Sequence, residues 1–209
     1  MARNLSPAHR RAQFAAAARC AMSRKGSFDV SLRDVAREAG VSPGAILYHY
    51  DSFEAVLVAT WEQLSERFIR QRRQILELAA GEPERLATAI HAGLPRGSDD
   101  ARYLLYAAIG HYRSNPAMRA MARAATHGEI ALYQTILEAG AARGVFTLGD
   151  RSVAIARTIV GTTQGLGIWI VHDDPEVDFS EGEGLVRRYA QTMTAVELPA
   201  PLALPGIDG

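Results

Sequence analysis

Nine residues in the first quarter of the chain have the types and spacing to lie against a nucleic acid: Ser31, Arg33, Ser42, Pro43, Gly44, Ala45, Leu47, Tyr48 and His49. Ser31 and Arg33 stand where a short helix begins. Backbone N–H groups at such a start, with an arginine beside them, suit a phosphate. Ser42, Pro43, Gly44 and Ala45 open a second short helix with side chains small enough to admit close approach, and Tyr48 and His49 follow on its exposed side. This second helix has no Arg, Asn or Gln for a bidentate base contact. Base choice there rests on apolar contact with thymine methyls and on DNA shape. The chain offers no comparable set for covalent or metal chemistry. Histidines 9, 49, 91, 111, 127 and 172 show no HExxH or other metal-ligand spacing, there is no GxSxG or glycine-rich phosphate loop, and Cys20 has no catalytic context. The residues point away from an enzyme, and no metal or cofactor is expected.

Local signals say how those residues are held. Leu32, Val35, Ala36 and Ala39 recur at i, i+3, i+4 and i+7, one apolar face of a short helix. Ser31 caps its first turn, with Asp34 three residues on as the other half of a capping box. Gly40 falls where a left-handed C′ residue is needed, and Val41 plugs the turn. Ser42 is a second N-cap and Pro43 sits at N1, opening a helix from Pro43 to about Tyr50. Two short helices joined by a tight glycine turn make a helix-turn-helix, whose second helix enters the DNA major groove.

The run Asp34-Val35-Ala36, Ala39-Gly40-Val41-Ser42, Gly44, His49-Tyr50, Ser52, Glu54 and Leu57 resembles the DNA-binding domain of the TetR family of repressors. That family's pattern is an aliphatic-Ala pair, AGVS, a glycine, LYxHF and SKExL. Leu47 stands where the family usually has tyrosine, and Phe53 replaces a lysine that often holds a DNA phosphate. The resemblance implies an all-α fold: an N-terminal three-helix helix-turn-helix DNA-binding domain followed by a C-terminal helical ligand-binding and dimerisation domain. It implies a transcriptional regulator acting as a repressor, a homodimer bound to a palindromic double-stranded operator and released by a small-molecule effector. A ligand-independent DNA-binding protein and an adaptor protein are the alternatives.

Composition agrees with a DNA-binding head. The 209 residues have zero formal net charge, yet residues 1–75 carry twelve Lys/Arg against seven Asp/Glu, and residues 76–209 carry eleven against sixteen. A positive end attracts the phosphate backbone without regard to sequence. No apolar run reaches the eighteen or so residues of a membrane span, the longest candidate lying around Ile168 to Val171. The opening MARNLSPAHRR lacks the apolar core of a signal peptide, and the single cysteine cannot form an internal disulfide. A cytoplasmic location is expected.

Ser6-Pro7 opens a first helix to about Arg24, with Phe14, Ala15, Ala18 and Met22 facing inward and Phe28 and Val30 packing under the helix-turn-helix. Residues 1–51 are the expected DNA-binding domain and 52–197 the effector and dimerisation domain, with 52–80 a connecting helix and 198–209 a loose proline-rich tail. Asp51 or Ser52 caps the connecting helix, with Glu54 placed for a capping box. Arginines 67, 70, 72 and 73 read as a solvated face. Further helices are expected at about 83–93, 99–114, 116–142, 150–172 and 180–194. Trp61, Phe68, Tyr103, Tyr106, His111, Gln164 and Trp169 are the candidate effector contacts, aromatic bulk with few polar tips, which suits an uncharged or amphipathic ligand. Ile155, Gly161, Gly165, Leu166, Leu185 and Tyr189 are the candidate dimer interface, because glycines inside a helix suggest close approach by another backbone. The GL-aliphatic segment there resembles the penultimate helix of BetI-type regulators, which pairs with its copy in a second subunit.

Overall fold

The computed structural model describes residues 6–25, 29–78, 80–96, 101–107 and 115–203, and every regular element among them is an α-helix. In order these are α1 (Pro7–Lys25), α2 (Leu32–Ala39), α3 (Pro43–Leu47), α4 (Phe53–Glu77), α5 (Glu82–His91), α6 (Ala101–Ala107), α7 (Pro116–Ala142), α8 (Ser152–Val171) and α9 (Phe179–Thr194). Phe28 and His111 lie outside the described residues.

The chain divides into two compact units, residues 1–66 with 97–121, and residues 67–96 with 122–209. Helix α4 begins in the first and ends in the second. In the first unit, α1 buries Phe14, Ala15, Ala18 and Met22, and α2 buries Val35 and Ala36 against it. Ion pairs close the joint at the surface, Arg24 to Glu38 at 2.9 Å and Lys25 to Asp34 at 2.9 Å. Trp61 and Leu64 of α4 are buried in the same unit, as are Leu104 of α6 and Met118 of α7.

The second unit has one apolar core, built from Leu86 and Ile90 of α5, Ile136 and Leu137 of α7, Ile155, Ile159 and Leu166 of α8, and Val186 of α9. Helix α8 corrects one sequence expectation. It has 20 residues, long and apolar enough by length and composition to cross a membrane. Its inward face is buried in this core and it packs along α9.

Residues 198–202 differ from the expected loose tail. Leu198 is buried in the core, and the Arg187 guanidinium donates to the carbonyls of Leu198 at 2.6 Å and Pro199 at 2.7 Å. The Leu202 N–H donates to Thr88 Oγ1 at 2.9 Å, so residues 198–202 are strapped over α9 and α5. Proline content indicated no helix, but it could not show an arginine waiting eleven residues upstream.

Candidate nucleic-acid interface

The capping box at the start of α2 forms with both halves present. The Asp34 N–H donates to Ser31 Oγ at 3.2 Å, while Ser31 donates its own N–H at 2.8 Å and its hydroxyl proton at 2.6 Å to Asp34 Oδ2. Both Ser31 donors are therefore committed within the chain, so Ser31 acts here as a cap and its hydroxyl is not held out toward a phosphate. Arg33, two residues on, is exposed. Gly40 has φ +66°, a left-handed conformation that glycine adopts without the Cβ penalty, and its N–H and that of Val41 close the helix onto Arg37 and Ala36 carbonyls.

Three groups hold the Asp34 carboxyl well below the usual carboxylate range: first the Ser31 hydroxyl, then the Ser31 N–H, and then the Lys25 ammonium. A carboxylate whose folded pKa is depressed stabilises the fold above its ordinary pKa, near 4, and loses that contribution as pH falls toward the depressed value. Asp34→Asn is therefore expected to melt at a lower temperature than the parent chain at pH 7, with the gap narrowing steadily below pH ~4. Thermal melts across that range check it, and a gap independent of pH would assign the loss to the amide's shape instead.

Ser42 caps α3 by accepting the Ala45 N–H at 3.2 Å, with Pro43 in the first turn as its type requires. The helix ends at Leu47, earlier than the sequence indicated, and Tyr48 to Ser52 form the turn into α4. Ser42, Pro43 and Gly44 are exposed and Ala45 is half-buried. Ile46 is buried, which turns Leu47 (44% exposed) and Tyr48 (86% exposed) outward. His49 is half-buried, its ring tilted against Phe14 at 5.6 Å and edge-on to Tyr48 at 5.1 Å. It braces Tyr48 from behind.

Helix α1 is held to this surface by contacts the sequence reading did not foresee. Tyr50 donates its hydroxyl to the Arg11 carbonyl at 2.9 Å, with the Arg11 guanidinium 4.6 Å from its ring centre. Thr60 and Gln63 of α4 donate to the carbonyls of Ala15 at 3.3 Å and Ala12 at 3.1 Å. Glu54 also departs from expectation. Ser52 accepts the Ala55 N–H at 3.1 Å and is the cap, so the third helical position is Ala55 and the expected capping box with Glu54 cannot form. Glu54 Oε1 instead accepts from Asn115 Nδ2 at 2.8 Å. Phe53 opens α4 half-buried and supplies no cation to the interface.

The expected effector contacts are divided. Trp61, Tyr103 and Tyr106 belong to the first unit, and Phe68, Gln164 and Trp169 to the second. Trp61 and Phe68 are buried, and Gln164 donates to Thr126 Oγ1 at 3.2 Å. Trp169 is 52% exposed. Among the expected interface residues, Ile155 and Leu166 are buried in the second unit's own core. Leu185 and Tyr189 are half-buried, whereas Gly161 is exposed and a Cβ added at Gly161 or Gly165 would meet nothing within 4 Å.

A capped helix-turn-helix, followed among the described residues by helices alone, is an architecture suited to binding DNA. Residues 15–60 match the family model described as bacterial regulatory proteins, tetR family. No curated protein matches the chain in sequence. Solved structures match nearly its whole length. A TetR transcription regulator from Haloarcula marismortui is 22% identical, with a TM-score of 0.72 over 90% of this chain and 99% of that one. A transcriptional regulator from Saccharomonospora viridis in complex with choline is 20% identical, with a TM-score of 0.76 over 88% and 96%. The regulator FadR from Bacillus subtilis in complex with stearoyl-CoA is 21% identical, with a TM-score of 0.63 over 88% and 98%. Residues 15–60 are thus similar to the DNA-binding head of that family, and the chain shares its fold with these solved transcriptional regulators.

Proposed function

We propose that this chain is a cytoplasmic transcriptional repressor that binds a palindromic operator as a homodimer and is released by a small-molecule effector. Residues 1–51 read the DNA, residues 52–197 serve effector response and pairing, and α8 and α9 pair with their copies in the BetI manner. The observation that carries the DNA reading is the outward face of α3. Leu47 and Tyr48 are large side chains left exposed just after a capped recognition helix, and His49 braces the second. With no bidentate side chain on α3, their partners are thymine methyls and the sugar-phosphate edge. Arg33 supplies the phosphate contact.

Effector response is supported by the choline and stearoyl-CoA complexes of structural neighbours, which show ligands held by proteins of this fold. Any such effector must bind the DNA-incompetent conformation more tightly. A coupling of about 1–3 kcal/mol would weaken operator binding roughly 5- to 150-fold.

The test begins with selection of a binding site from randomised duplexes by the wild-type protein, followed by titration of Tyr48→Ala on that site and on random DNA. Loss of one good base-edge contact costs about 1–3 kcal/mol, so the variant is expected to bind the selected site roughly 10- to 100-fold more weakly with little change on random DNA. Equal losses on both would remove Tyr48 from specific reading.

A further inference from the structure

Glu54 and Asn115 meet within the first unit although sixty-one residues separate them. Asn115 is 7% exposed and uses both ends of its amide. Its Oδ1 accepts the Met118 N–H at 3.0 Å, capping α7, and its Nδ2 donates to Glu54 Oε1 at 2.8 Å. The amide orientation is chemically fixed, because a backbone N–H only donates and a carboxylate only accepts. Capping needs the first contact alone. The second is a charge-assisted bond to α4, made by a carboxylate that the Ser52 cap leaves unused.

Glu54 lies in the first turn of α4, and only Tyr48 to Ser52 separate that helix from α3. The start of α4 thus sets how α3 is presented. Residues 97–121 cluster with 1–66 and not with the second unit, and Leu104 and Met118 are buried there.

We propose that Asn115 is a positioning residue for DNA reading: by holding Glu54 it fastens the first turn of α4, and through the 48–52 turn the recognition helix, to the start of α7. The proposal rests on the DNA-binding role given above to α3. It makes residue 115 a second route to the recognition helix besides α4 itself, so that a displacement at the start of α7 reaches α3 through one bond.

Two substitutions separate the bond from the cap. Asn115→Asp keeps an oxygen for the Met118 N–H, and hence the cap, but loses the donor and sets a second carboxylate against Glu54. Glu54→Gln keeps the acceptor, and in the double variant its amide can donate to the carboxylate introduced at position 115, which rebuilds the bond with donor and acceptor exchanged. The expected result is that Asn115→Asp binds a selected site about tenfold more weakly, equivalent to ~1.4 kcal/mol, with random-duplex affinity unchanged. Amide hydrogen exchange over residues 48–55 should be faster in the same variant. Glu54→Gln, which keeps an acceptor but not its charge, should lose less than Asn115→Asp, and the double variant should recover both readouts to the level of Glu54→Gln. A purely structural cap would show no such rescue. Asn115→Asp binding and exchanging as wild type overturns the proposal, as does a folded double variant as impaired as the single one. If the wild-type protein selects no sequence at all, the DNA-binding reading falls, while the exchange measurement still decides whether Asn115 holds the turn.

Discussion

Gly165→Leu is expected to give a folded chain that no longer pairs. At Gly165, and at Gly161 one turn earlier, an added Cβ meets nothing within 4 Å, so the chain's own packing does not require glycine at either place. Yet glycine inside a helix costs about 1 kcal/mol against alanine. That cost goes unexplained unless something outside the chain comes close. Trp169 adds to the case, since Gly161, Gly165 and Trp169 recur at i, i+4 and i+8 and the indole is half exposed. Only 39% of the apolar stretch of α8 is buried in this chain, and a helix apolar all round is normally covered all round. In a monomer the leucine would raise the melting temperature slightly through helix propensity. Against a second α8 it would clash. The two outcomes have opposite signs. In the proposed homodimer, losing the second head also removes the avidity of a two-site reader, worth roughly 10²- to 10⁴-fold, so affinity for the selected site should fall by about 100-fold or more. Native mass spectrometry at micromolar concentration checks the pairing, and a wild-type monomer there would refute it.

The same helix shows what the sequence could and could not tell. The interface expectation named six residues, among them bulky Ile155 and Leu166 beside the glycines. Both bulky residues face the chain's own core. Periodicity marks a helix as apolar but cannot say which apolar face meets its own core and which meets another surface. Burial in a folded chain separates the two, leaving the small residues and Trp169 outside.

The helix-turn-helix was legible almost residue by residue because its determinants are local. The Ser31–Asp34 box, Gly40, and Ser42 with Pro43 all act within three or four positions, and each occurs as expected. The Ser31 donors go to Asp34 within that same local box. What local rules could not supply are the contacts with distant chain. Glu54 was assigned to a local box, yet shifting the cap by one residue to Ser52 freed it for Asn115, a partner no local rule proposes. Residues 198–199, expected to begin a loose tail, are likewise held by Arg187 through their carbonyls, eleven and twelve residues away. Nor does any local rule group residues 97–121 with residues 1–66 in one compact unit.

Gly140→Ala is expected to produce the largest loss of stability, for the opposite reason from Gly165. A Cβ at Gly140 would lie 2.5 Å from Phe146 Cε2 and closer still to its Cδ2, far inside contact distance. The ring cannot swing away cheaply, because it is buried and the backbone around it is tied. The Val145 and Phe146 N–H groups donate to the Gly140 carbonyl at 2.9 and 3.1 Å, and Gly144 takes the left-handed conformation that turns the chain. Just beyond, the Thr147 and Gly149 N–H groups donate to the Thr194 and Met193 carbonyls at the end of α9. Helix propensity alone predicts that alanine stabilises α7 by about 1 kcal/mol. Overpacking must exceed that gain, and with a rigid ring in the way a net loss of about 3 kcal/mol is expected, at the upper end of the usual cost. Denaturant unfolding measures it, and a Gly140→Ala chain as stable as wild type would show that the ring can move after all. Pairing the change with Phe146→Ala gives the mechanism: if ring and methyl compete for one space, the double variant loses less than the two single losses combined. The segment so disturbed leads directly into α8, so operator binding should fail together with folding, whereas Gly165→Leu should abolish pairing with the fold intact.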